Sequence, residues 1–361
     1  MDHSTADQSP LEHNIEAAPI SQARSAAGIF RENLGWFAAL AVTILLPFAV
    51  ALLDGQSITG LLASEPSTSK FVQGLLIEIF ILAAYALSYD LILGITGLLS
   101  FGHAMFFAVG AYVTGIMLKS FGWSLLPTLG LVVLAGIVQA LLFGIVLPRV
   151  KGITFALVTL GLASVFYIVI QSRELGDYTG ADVGLQGVVS PDFINFNSHS
   201  LNVYFITLAF LALAFILFRR FVNSPTGRVC IALRENEDRT LMLGYNTFFF
   251  KLTALTISSI TAALAGMLHT LHSPLVSPSI ASLSFTVTAL LIILIGGMGT
   301  LSGAIIGAAV YRLLEFGLSF YIPGSSSFIT GAIYILIVLF VPYGIVGTWR
   351  QRRKRINPQK L

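Results

Sequence analysis

Long stretches of the chain carry no charged side chain: 35–53, 120–148, 252–311 and 316–349. Roughly 20 apolar residues span the hydrocarbon core of a bilayer as a helix, so these runs read as membrane-crossing helices. Their limits, and the shorter apolar runs between them, predict spans at 35–53, 71–94, 99–118, 124–147, 152–171, 201–218, 251–271, 283–298, 303–319 and 327–347. The expected fold is an all-α polytopic membrane protein with about ten transmembrane segments.

Composition agrees. Apolar residues make up 56 % of the chain and charged residues 10 %, against about 25 % charged in a soluble domain. Thirty-three glycines suit a bundle whose backbones approach closely. The single cysteine, Cys230, excludes an intramolecular disulfide. Residues 1–34 hold Asp2, Asp7, Glu12, Glu16 and Glu32 and lack a basic leading region, so a disordered tail leading into the first span is expected here and not a cleavable signal peptide. The net charge of +3 is a matter of topology and not of nucleic-acid binding. With both termini placed in the cytoplasm, alternation puts 1–34, 148–151, 219–250 and the basic tail 348–361 on that side. Those segments, with Lys251 at the boundary, contain 16 of the 20 Lys and Arg residues, as the positive-inside rule requires. The tail run "RQRRKR" (350–355) reads as an anchor that also meets anionic lipid. Residues 35–347 are expected to form the transmembrane domain.

One segment breaks the apolar pattern. "SPTGRVCIALRENEDRTLMLGYN" (224–246) holds six charges in 23 positions. Ser224-Pro225 is a helix start, with Ser as N-cap and Pro at the first helical position, and Gly244 is a plausible stop. Up to about five turns of helix are expected between them, too polar for lipid. Arg228, Arg234 and Arg239 stand against Glu235, Glu237 and Asp238. Mixed signs fit a protein partner whose complementary charges fix register, with Val229, Leu233, Leu241 and Leu243 as its apolar part. They equally fit a solvated connector with internal ion pairs.

This segment, followed by "KLTALTISSITAALAGML", resembles the cytoplasmic loop and next span of the LivM-type permease subunits of branched-chain amino acid ABC importers. "LSYDLILGITGLLSFGHAMFFAVGAYVTG" (87–115), "KGITFALVTLGLA" (151–163) and "LIILIGGMGTLSGAIIGAAV" (291–310) are similar to three further family signatures, in order, and the likeness runs from about 71 to 347. At "YTGADVGLQGV" (178–188) the family usually has a second glycine where this chain has Ala181. The resemblance implies a type II-like importer fold and a cytoplasmic helix seated on an ATPase subunit. Gly227, Arg228, Arg234, Glu235, Asn236, Arg239 and Gly244 are then the coupling residues. It also implies a LivH-like sister permease, two ABC ATPases that bind ATP and Mg, and an external substrate-binding protein, in a bacterial cytoplasmic (inner) membrane. The chain itself is expected to bind no cofactor and to catalyse nothing, since it shows no nucleophile–base pair, phosphate loop or catalytic metal signature.

Passage of a zwitterion needs hydrogen-bonding groups that face a cavity. Gly97, Ser100, Gly102 and His103, beside Phe106 and Phe107, and Gly296, Gly297, Gly299, Thr300 and Ser302 are the candidates, with helix packing as the alternative for each group. Residues 94–100 and 296–302 match at four of seven positions, which an internal repeat or chance between Gly-rich hairpins explains. Thr179, Gly180 and Gly184 meet either a binding protein or only their own turn. Arg312 and Glu315, three apart on one helix, are expected to neutralise each other, while Glu78 and Asp90 are expected to be solvated near the ends of their span. His269 and His272 lack a nearby carboxylate or thiolate and make a poor metal site. Import of urea or short amides on the same scaffold, or ion-coupled secondary transport, are the competing functions.

Overall fold

The computed structural model describes residues 26–55, 57, 60, 64–321, 326–340 and 343–349. The expected disorder of residues 1–25 and the basic run 350–355 lie outside the described residues. Met1–Leu46 and Pro47–Leu361 are two compact units. α1 (Ala26–Leu53) starts in the first, so the last part of the segment expected to be disordered is helical. Every site below belongs to the second.

Nine further helices follow the predicted spans: α2 (Thr68–Tyr89), α3 (His103–Lys119), α4 (Leu125–Val146), α5 (Ile153–Ile170) and α6 (Ser200–Asn223), then, after two short helices considered below, α9 (Thr247–His272), α10 (Leu283–Gly296), α11 (Ser302–Tyr321) and α12 (Ser326–Phe340). Among the described residues, six segments are long and apolar enough to cross a membrane: Thr68–Ile95, Leu125–Val146, Ile153–Ile170, Ser200–Asn223, Thr247–His272 and Ser302–Tyr321. Ala38–Leu53, His103–Lys119 and Leu283–Gly296 are shorter apolar helices. The chain is therefore an all-α, multi-pass membrane protein.

Its exterior shows the same thing. Leu126, Leu134, Val138, Leu141 and Ile145 on α4 and Leu157, Val165 and Ile168 on α5 are exposed. In water such a surface drives association; in hydrocarbon it is simply matched to its solvent.

α2, α3 and α9 form the centre. Small residues bring their backbones together, as packing in lipid favours. A Cβ on Gly110 of α3 would lie 1.9 Å from the Ala263 carbonyl oxygen of α9, and one on Gly266 of α9 would lie 2.0 Å from that of Phe107. Hydroxyls add cross-links: Ser258 Oγ donates to Ser88 O at 2.6 Å, Ser259 Oγ to Gly136 O at 2.7 Å and Thr270 Oγ1 to Ala111 O at 3.1 Å. α9 is thereby fixed to α2, α4 and α3 in turn.

At the end where α5 runs into α6, residues 172–199 make short turns, and β1 (Leu185–Gln186) pairs antiparallel with β2 (Leu275–Val276). Thr179 Oγ1 donates to Leu175 O and accepts from Ala181 N, while Gly180 and Gly184 take positive φ of 77° and 84°. All three serve the turn. Ala181 has φ 47°, the left-handed region that favours the glycine of the family pattern.

Candidate functional site

The charged segment forms two helices. α7 (Pro225–Glu235) starts as expected, with Ser224 Oγ accepting from Gly227 N at 3.2 Å and Pro225 at its first position. The continuous helix predicted over 224–246 is interrupted at Asn236, whose backbone is extended (φ −160°, ψ 105°) and whose Oδ1 accepts from Arg239 N at 2.9 Å. Asn236 thus caps α8 (Glu237–Met242), and Gly244, at φ 87°, follows its end. Asn caps well because its short side-chain carbonyl reaches the free N–H groups of a first turn. No helical spacing announces that break.

The charges divide between inside and outside. Glu237 ties α8 to the start of α9, accepting from Lys251 Nζ at 2.6 Å and Thr247 Oγ1 at 3.3 Å. Asp238 pairs with Lys151 at 3.3 Å in the open. Arg228, Glu235 and Arg239 are exposed and form no ion pair among the described residues. Leu233 is buried within the chain, whereas Met242 is 86 % and Leu243 76 % exposed, beside exposed Leu241 and Tyr245. Gly227 is needed where α7 meets α6: a Cβ there would lie 2.2 Å from Phe221 O. Cys230 is buried, and burial pushes its thiol up to about 11.

Arg234, though exposed, reaches back to the bundle. Its Nη1 donates to Gly94 O, and its stem lies against Gly97, where a Cβ would be 3.0 Å from Arg234 Cγ. Gly94 belongs to a π-helical turn, Asp90–Ile95, that ends α2. Such a turn displaces backbone carbonyls from the usual helix ladder and frequently marks functional sites. Beside it stands the turn 297–301. Asp90 Oδ1 accepts from Gly299 N at 2.6 Å and Oδ2 from Leu301 N at 3.0 Å. A Cβ on Gly94 would lie 2.0 Å from Asp90 Oδ1, and one on Gly299 2.9 Å from Arg234 Nη1. Gly97, Gly297 and Gly299 all have positive φ, and Thr300 Oγ1 donates to Gly297 O while accepting from Gly303 N. The two similar Gly-rich segments, 94–100 and 296–302, therefore meet in space, with Arg234 laid across them.

Asp90 corrects the expectation that solvent satisfies it: it is fully buried, and the two N–H groups hold its carboxylate. A buried carboxylate needs such partners, and sequence spacing gives no sign of donors more than 200 residues away.

The remaining candidates occupy packed interior. His103 is fully buried, with Nε2 2.9 Å from Ser88 Oγ and ring centroids of Tyr89 and Tyr85 at 4.8 and 5.3 Å. The ring of Phe106 lies 4.7 Å from that of Phe143, tilted by 51°. A Cβ on Gly102 would lie 2.2 Å from Thr159 O. Tyr89 Oη donates to Ser100 O at 3.1 Å, while Ser100 Oγ and His103 Nδ1 have no hydrogen-bond partner among the described residues.

Arg312 does pair with Glu315, at 2.9 Å, but its Nε and Nη2 also reach Glu78 of α2. Glu78 is thus met by Arg312 and not by solvent alone. The rule that intramembrane charges are functional candidates marks these residues; their pairing across 234 positions is visible only in three dimensions. No group of three or more His, Cys, Asp or Glu suited to a metal occurs among the described residues.

The fold is that of a multi-pass, all-α membrane protein. Over residues 71–339 the chain matches the family described as "Branched-chain amino acid transport system / permease component", and it belongs to that family. It is 28 % identical over 295 residues to the high-affinity branched-chain amino acid transport system permease protein LivM of Salmonella typhimurium, covering 74 % of this chain and 68 % of the relative. LivM of Escherichia coli gives 28 % over 298 residues, covering 75 % and 69 %. LivH of Salmonella typhimurium, also a permease protein, is 26 % identical over 286 residues, covering 73 % and 91 %. No solved structure matches.

Proposed function

We propose that this chain is one transmembrane half of an ATP-driven ABC importer for branched-chain or other neutral amino acids, paired with a LivH-like permease. It crosses the bacterial cytoplasmic membrane ten times with both termini in the cytoplasm, as the sorting of Lys and Arg supports. Two partner ATPases bind ATP and Mg and carry out hydrolysis, and an external binding protein delivers substrate.

The observation that carries this reading is the junction around Arg234. α7 and α8 are capped and stand outside the apolar bundle, and they end in an exposed apolar tip, Leu241–Met242–Leu243, suited to a groove on a partner. From the same element Arg234 runs back to the π-turn of α2 and the turn preceding α11. A push on the tip is thus delivered to the ends of two spans. Gly97, Gly297, Gly299 and Thr300 shape the receiving turns, while Ser100, Gly102, His103 and Phe106 support the wall beside them. Arg228, Glu235 and Arg239 remain outward for partner contacts.

Purification from a native membrane should bring ATPase subunits with the chain, and the reconstituted complex should accumulate leucine on addition of ATP. Uptake that follows a proton or sodium gradient and ignores ATP would make it a secondary transporter; uptake of urea or short amides without leucine would correct the substrate.

A further inference from the structure

One buried carboxylate joins two turns from distant parts of the chain. Asp90 opens the π-helical turn at the end of α2 and is fully buried. Its Oδ1 accepts from Gly299 N at 2.6 Å and its Oδ2 from Leu301 N at 3.0 Å, so both oxygens engage the turn between α10 and α11. Gly94 lets the carboxylate reach that far: a Cβ there would lie 2.0 Å from Asp90 Oδ1 and 2.6 Å from Gly299 N. The held turn is not one its sequence favours. Leu301 has φ 52°, in the left-handed region that bulky side chains rarely adopt. Its N–H goes to Asp90, and its carbonyl accepts from Ala304 N at 3.2 Å in the first turn of α11. Strained backbone of this kind persists only where its surroundings over-determine it, and it gathers at sites that switch. The start of α11 is therefore set by a residue that the end of α2 holds in place.

Arg234 reaches the same junction from the charged segment. Its guanidinium donates to Gly94 O, and a Cβ on Gly299 would lie 2.9 Å from its Nη1. A buried carboxylate needs a balancing charge as well as donors, and Arg234 brings one to Gly299. The hydrogen bonds divide between the two side chains. Arg234 holds the α2 side through Gly94 O, and Asp90 holds the α10–α11 side through Gly299 N and Leu301 N. Without the carboxylate, the hydrogen-bonded path that starts on α7 would end at α2.

We propose that Asp90 is a positioning residue for transport, a clamp that makes the end of α2 and the turn leading into α11 move as one body. Displacement that Arg234 brings to α2 is then passed to α10 and α11, and the clamp stays closed while the transporter cycles. A carboxylate suits the task because its two oxygens each accept a backbone N–H, and such charge-assisted bonds are stronger than neutral ones. The proposal rests on the importer reading and adds the residue through which the charged segment reaches two further spans.

The test uses the assembled transporter in proteoliposomes and the near-isosteric Asp90→Asn. Its one carbonyl oxygen accepts a single N–H, and its amide N–H₂ faces the other donor. Leucine taken up per ATP hydrolysed should fall roughly tenfold, the scale of one hydrogen bond to a charged group, while hydrolysis continues. A residue that only stabilises the fold would lower both rates together. Gly110→Ala, which crowds the bundle elsewhere, should do that and keep the ratio. Hydrogen exchange on the unmodified complex gives a second reading that no variant's folding can spoil. Amides in 297–303 should be protected equally at rest and when the ATPases are trapped with vanadate. The role is overturned if Asp90→Asn keeps the parental ratio where Arg234→Glu loses it, or if Gly110→Ala lowers the ratio as far as Asp90→Asn does. It is also overturned if exchange at 297–303 is fast at rest or rises about tenfold on trapping, because the clamp then opens. Uptake that ignores ATP in the unmodified complex would remove the importer reading itself, and this role with it.

Discussion

Arg234→Glu in the assembled transporter is expected to leave the chain inserted and bound to its partners, to reduce ATP-driven uptake at least about tenfold, and to let hydrolysis continue. The guanidinium donates to Gly94 O and lies beside Gly299. A hydrogen bond to a charged group contributes about 1.5–3 kcal/mol. A glutamate cannot donate to that carbonyl, and it brings a second negative charge to the turn that Asp90 holds by its backbone N–H groups. The junction loosens, while the outer face of α7 and α8 is unchanged. Glu235→Arg should separate the two contributions. Its side chain is exposed and makes no ion pair among the described residues, so it should alter partner affinity before it alters the ratio of uptake to hydrolysis. Measuring both rates in proteoliposomes decides the matter. A parent-like ratio in Arg234→Glu would show that force does not travel by this route.

The second large effect is on stability. Gly110→Ala should destabilise the folded bundle by about 1–3 kcal/mol, the usual range for overpacking, and lower the recovery of monodisperse protein from detergent. The added Cβ falls 1.9 Å from a backbone carbonyl oxygen, which has no side-chain rotamer with which to give way. α9 has little freedom to retreat, because Ser258, Ser259 and Thr270 bind it to three neighbouring helices. Gly161→Ala is the matched control on α5: nothing lies within 4 Å of its Cβ, and alanine is the better helix former. Thermal melting of both variants should show a lower midpoint for the first and an equal or slightly higher one for the second. Equal melting curves would mean that the α3–α9 contact is looser than the structure has it.

Much of the helical architecture is legible in the sequence, because in a bilayer hydropathy reports on the solvent itself. Helices stand at all the predicted spans, and Ser224-Pro225 starts α7 where its chemistry says it must. What escaped was long-range pairing. The mixed charges of 224–246 fit a partner surface or a solvated connector, and no spacing shows that Glu237 accepts from Lys251 or that Arg234 donates to Gly94 O. Asp90 looked like an end-of-span carboxylate until the turn at 297–301 was seen to donate to it. The four-residue match between 94–100 and 296–302 hinted at kinship; the geometry makes the two segments neighbours, whatever their origin. Arg312 and Glu315 were recognisable as a pair from their spacing, but Glu78 joins them through tertiary packing that has no local signature.

The most direct measurement is the accessibility of a thiol at Met242→Cys, at the exposed tip of α8. In the permease pair without ATPases it should react with an impermeant reagent only from the cytoplasmic face, and addition of the ATPase subunits should suppress that reaction strongly. Reaction from outside the cell, or an undiminished rate in the complete transporter, would contradict the coupling role of 224–246.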